Sequence, residues 1–194
     1  MRLFSVKPTL TIKGRKFKGI RGWSGKPTHP PLTDIPIGAY VLAAVFDLLS
    51  VVVGEGETGR NLFVAATYVM LGGLIVSIPT AITGLVDWKT STPKGTQAWR
   101  TANTHMAIML TTTAVVVLDL VLRWSDFDTS LATPISIMVL TLLIGGAVAL
   151  GATYGGTLVY DYEFNVEQDR GYAWEESETD YLPGEKPDKP GQHA

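Results

Sequence analysis

Cysteine is absent from the 194-residue chain, which excludes a disulfide framework, a thiolate zinc site and a cysteine-ligated iron–sulfur cluster within it. Histidine is scarce: His29, His105 and His193 are the three in the sequence, so imidazole chemistry has a short list of candidates. Charged residues make up 18% against 46% hydrophobic, and one sign is missing from the beginning. No acid precedes Asp34, whereas eight basic residues do: Arg2, Lys7, Lys13, Arg15, Lys16, Lys18, Arg21 and Lys26. From Asp161 onward the balance reverses, with ten acids against Arg170, Lys186 and Lys189. The basic arm is expected to lie against anionic lipid headgroups. It has no folded reading surface beside it, so nucleic acid is not an expected partner. It also lacks the apolar stretch that follows the basic residues of a secretory signal. Missing too are a nucleophile–base constellation, a phosphate-cradling glycine loop and a helical zinc-protease motif, so nothing points to an enzyme.

What is present is a set of four apolar blocks. A spanning helix needs about 20 mostly apolar residues, each rising about 1.5 Å through a hydrocarbon core of about 30 Å. The blocks run over about 35–53, 62–86, 104–122 and 131–154. They predict an all-α fold, a four-helix transmembrane bundle over residues 27–160, with a basic arm at 1–26 and an acidic tail at 161–194. Pro30, Pro31 and Pro36 are expected to delay the first helix to about Ile37 and to keep the approach extended. Pro79 is expected to kink the second. Gly73, Ser77 and Ala81 on the second block, and Ala147, Gly151 and Gly155 on the fourth, form small-residue ridges that read as packing seams. The arm and the middle link (Lys89, Lys94, Arg100) carry far more basic residues than the other side, which has Arg60 and Arg123. The positive-inside rule therefore places both termini in the cytoplasm. Arm and tail, of opposite charge, are expected to pair or to dock on other subunits of a membrane complex.

Ionisable residues within spans mark function by default. Asp47 lies in the first block and Asp119 in the third. Asp119 stands four residues before Arg123, on one helix face, so the two are expected to pair. Asp47 is expected to pair with Arg60 or an interfacial backbone group; a proton or ion relay is the sharper alternative. His105, Thr112 and Asp119 recur at seven-residue spacing and share a stripe expected to face the interior. His105 and Asp119 are about 21 Å apart along that axis and cannot share a site. His29 and His105 should meet at one rim with Asp34, Asp87, Trp88, Arg100 and Tyr160.

The segments HPPLTDIPIGAYVLAAVFDLL and TGLVDW, the third-block His105, and GGTLVY resemble the motif set of a bacterial membrane family, domain of unknown function 2231. The resemblance covers about residues 27–160 and is most specific from His29-Pro30 through Pro36-Ile37-Gly38. It implies a four-span bundle in the bacterial inner membrane and a redox context, because some members are joined to Rieske-type domains. Members of the family often carry Asn one turn after the third-helix histidine, where this chain has Met109. Any iron–sulfur partner must be a separate polypeptide.

Three functional expectations follow. The first is a non-catalytic accessory subunit of a membrane assembly linked to electron transfer. The second is a b-type haem with His29 and His105 as axial ligands, walled by Trp88 and Tyr160, with Arg100 balancing a propionate. The third is a metal site from His29, Asp34, Asp87 and His105. Against both cofactor readings stands the simpler one, in which each histidine hydrogen-bonds a helix end.

Overall fold

The computed structural model describes residues 19–22 and 27–164. It consists of four helices, α1 (His29–Val53), α2 (Glu57–Ser91), α3 (Gln97–Asp126) and α4 (Ile135–Tyr160). The basic arm, except residues 19–22, and the tail from residue 165 lie outside the described residues. All four helices are long and apolar enough to cross a membrane. At 25 to 35 residues they are longer than the apolar blocks.

The first helix departs most from expectation. It begins at His29 and not near Ile37. Pro30 and Pro31 sit in the first turn, where amides have no helical acceptor, so their missing N–H costs nothing. Pro36 lies inside the helix and leaves the Leu32 carbonyl without its usual donor. The hydroxyl of Thr80, on α2, reaches that carbonyl at 3.4 Å. The α2 helix runs on through Pro79 to Ser91.

Each helix packs against two neighbours, in the ring order α1, α2, α3, α4, with α1 and α3 on one diagonal. The end where α1 begins and α4 finishes is termed proximal, the other distal. The polarity is inverted relative to a water-soluble bundle. Outward faces carry Leu42, Leu49, Ile78, Leu118 and Leu143, whereas the interior includes Asp47, Thr67, Ser77, Asp119, Arg123 and Thr141. With lipid outside, apolar side chains lose nothing by facing out, and polar ones must satisfy each other within. At the distal end Trp124 stacks on Phe127 at 5.4 Å, and Tyr68 meets the same ring edge-on at 5.8 Å. Exposed Trp124 and Tyr68 form an aromatic girdle of the kind found at headgroup depth.

The small-residue ridges lie at helix seams. A Cβ on Gly73 would stand 2.8 Å from Ala39 Cβ and 2.8 Å from Tyr40 Cε1, so this glycine sets how closely α2 approaches α1. Ser77, one turn on, shares a 2.7 Å hydrogen bond with Tyr40 Oη. Gly151 meets Met109, and Gly155 meets His105, across the α3–α4 seam. Gly73→Ala is therefore expected to destabilise the bundle by about 1–3 kcal/mol through overpacking. Gly146→Ala, where an added methyl touches nothing within 4 Å, should be neutral or slightly stabilising. Thermal unfolding of the two variants side by side checks the contrast.

Candidate functional site

A cavity of about 480 Å³ opens at the proximal end and is walled by all four helices. Its floor lies near Ser77, Met109 and Thr113, and its mouth near Thr92 and Phe164. His29, Asp34, Asp87, Trp88, His105 and Tyr160 all line it. The gathering expected from antiparallel threading is thus present, on diagonally opposed helices. Arg100 is exposed and does not line the cavity, so it is not placed to balance a ligand charge there.

The two imidazoles are held alike. His29 Nδ1 lies 3.0 Å from the Thr80 carbonyl of α2, with Thr83 Oγ1 at 3.2 Å. His105 Nδ1 lies 2.8 Å from the Gly151 carbonyl of α4. A carbonyl oxygen only accepts, so each Nδ1 must carry the proton and donate. In the neutral ring that leaves the Nε2 lone pair unprotonated, and among the described residues neither Nε2 has a hydrogen-bond partner. Two glycines make room for them. A Cβ at Gly84 would stand 2.7 Å from His29 Cε1, and one at Gly155 would stand 3.1 Å from His105 Cε1. The sequence signal for these was present in the Gly155 ridge and absent for Gly84.

Around the histidines the lining is mostly apolar, with Met106, Met109, Leu110, Leu158 and Val159. Trp88 is fixed by its Nε1 donating to Asn103 Oδ1 at 2.8 Å. Leu85 on α2 and Leu110 on α3 also line the cavity. Two buried polar groups stay incompletely bonded. Asp87 is buried, yet its Oδ1 has no partner. The Thr92 hydroxyl, also buried, has none either. Unsatisfied buried polar atoms are rare and call for a specific reason, such as a ligand.

The four-residue metal set is not assembled. Among the described residues no three His, Cys, Asp or Glu side chains converge to hold an ion, and Asp34 is exposed at the mouth. Tyr160 contributes an edge of the rim while remaining 84% exposed.

The second polar centre is distal and fully buried. Arg123 Nε donates to Asp119 Oδ2 at 2.5 Å, which is the expected pair. Asp47, 76 residues away in sequence, pairs with Arg123 through both oxygens, with Nη1 at 3.1 Å from Oδ1 and Nη2 against Oδ2. This corrects the expected Asp47–Arg60 pair. Arg60 instead donates to the carbonyls of Phe127 and Ser130, both at 3.0 Å, closing the end of α3. Thr133 donates to Asp47 Oδ1 at 2.9 Å, and Arg123 reaches Thr141 Oγ1 at 2.8 Å and Thr67 Oγ1 at 3.3 Å. Thr112, midway along the stripe, is buried and donates to its own helix at Ile108.

A family model described as a predicted membrane protein, DUF2231, matches residues 25–168. No curated protein and no solved structure matches the chain.

Proposed function

The chain belongs to the DUF2231 family of predicted membrane proteins, and from that premise we propose that its proximal cavity holds a b-type haem serving a membrane electron-transfer assembly. The observation that carries this is the matched pair of imidazoles lining one cavity, each with Nδ1 committed to a backbone carbonyl and Nε2 without a partner among the described residues. Haem iron accepts two imidazole nitrogens. A second-shell bond from Nδ1 to a carbonyl is what orients such a ring and raises its basicity. The cavity volume falls in the range of cofactor sites, about 300–1,000 Å³. When bound, the group would supply one-electron chemistry. The chain's own residues would position it: His29 and His105 through Nε2, Trp88 as a wall, and the Thr92 hydroxyl as a donor at the mouth. The basic-residue count supports a cytoplasmic position for this end, in a bacterial inner membrane as the family resemblance implies. The arm and tail would then serve as docking segments for other subunits.

Asp87 favours a second reading. A carboxylate with a bare oxygen inside a mostly apolar cavity suits a membrane quinol. Its hydroxyls would donate to the bare Nε2 atoms and to the bare Asp87 oxygen, a binding step with no change of oxidation state.

One absorption spectrum separates these. Protein expressed with ample haem and purified in mild detergent is expected to show a Soret band whose reduced-minus-oxidised difference reports six-coordinate, low-spin iron. A colourless protein whose organic extract contains a quinone would replace haem with quinol. A colourless protein with an empty extract would sink both.

A further inference from the structure

We infer that Asp119 carries a proton, which makes its buried cluster with Arg123 and Asp47 a proton-binding site at the distal end of the bundle. The cluster holds two carboxyl groups and a single guanidinium, and all three side chains are 0% exposed. With both carboxyls ionised it would carry an uncompensated negative charge inside a bundle wrapped in lipid, where water cannot share it. Among the described residues the surrounding elements supply no second cation. The facing groups are the hydroxyls of Thr67 on α2, Thr141 on α4 and Thr133 before it. The charged groups acting on Asp119 are Arg123 and Asp47. Arg60, the other basic residue at this end, is committed to the carbonyls that close α3.

Hydrogen bonding then shows which carboxyl takes the proton. Both oxygens of Asp47 are occupied, Oδ1 by Arg123 Nη1 and Thr133 Oγ1, and Oδ2 by Arg123 Nη2. Asp119 spends Oδ2 on Arg123 Nε, while its buried Oδ1 has no partner. An ionised carboxylate with one bare, fully desolvated oxygen is the costlier arrangement. A proton on Oδ1 removes the excess charge and leaves every contact to Arg123 in place. The site stands about 21 Å along α3 from His105 and does not depend on what fills the proximal cavity.

Infrared spectroscopy of the full-length protein in liposomes tests this. The expected result is a carbonyl-stretch band of a protonated carboxyl that moves down in D2O, is missing from Asp119→Asn and is retained in Asp87→Asn. Should the amide variant fail to accumulate, Asp119→Glu keeps a carboxyl and is expected to shift the same band. Three results would overturn the inference: no protonated-carboxyl band at all; a band unmoved by substitution at Asp119; or a band that appears only when sodium and potassium are withdrawn, which would put a metal ion on the bare oxygen.

Discussion

Arg123→Met is expected to cost the protein about 3–5 kcal/mol, the penalty for leaving buried carboxyl groups without their cation. That is a large share of a typical total stability of about 5–15 kcal/mol, so the variant should accumulate poorly and unfold at a much lower temperature. The side chain it replaces is fully buried and reaches Asp47, Asp119, Thr67 and Thr141, with its guanidinium 5.5 Å over the Phe63 ring. It thereby ties α3 to α1, α2 and α4 at the distal end. Methionine fills much of the same stem volume, so the loss isolates charge from packing. Adding Asp47→Asn and Asp119→Asn to the same chain should recover most of the stability, because no buried charge then remains to be compensated. Denaturation in a graded detergent series, read for the single and triple variants, decides it. A single variant as stable as the wild type would mean that water or another cation reaches the cluster.

The fold was legible because lipid imposes one requirement on every span: about 20 apolar residues, whatever the neighbours. Seams were legible for a related reason. Gly73 and Gly151 allow backbones to close up, and small residues at four-residue spacing repeat on one helix face. The Asp119–Arg123 pair was legible because i and i+4 meet on any helix. Partnerships between helices were not. Asp47 and Arg123 are joined only by the way α1 sits beside α4 with α3 across the diagonal, and no local spacing encodes that. The delayed start assigned to α1 failed because Pro30 and Pro31 occupy the first turn, where proline is tolerated, and because Pro36 sits inside the helix with the Thr80 hydroxyl reaching the Leu32 carbonyl it frees. That error mattered for the site, since it put His29 on an extended approach, when the helix is what aims its ring at Thr80. The bare Nε2 atoms were invisible for a simpler reason: which nitrogen of a histidine is free depends on a carbonyl supplied by another helix.

Replacing either histidine by alanine is expected to abolish six-coordinate haem binding, and Gly84→Ala is expected to weaken it while both histidines remain. His29→Ala and His105→Ala each remove one of the two proposed ligands, which stand on diagonally opposed helices, so the low-spin spectrum should disappear in both. The glycine variant is the more discriminating. Its new methyl would stand 2.7 Å from His29 Cε1 and 3.1 Å from Nδ1, closer than real contacts allow. The ring must turn away, and turning breaks its bond to the Thr80 carbonyl. Loss of such an orienting contact typically costs about 10- to 100-fold in affinity. Stability should not fall in step, because alanine is favoured over glycine within a helix by about 1 kcal/mol. Gly155→Ala, with 3.1 Å to His105 Cε1, should show a smaller loss of the same kind. Haem titration of the apo-protein in nanodiscs measures the affinities, and unfolding in the same discs measures the stability. Were Gly84→Ala to bind as tightly as the wild type, the Nδ1 contacts would be no more than helix-end hydrogen bonds, and the orientation of Nε2 would lose its meaning as a ligand signature.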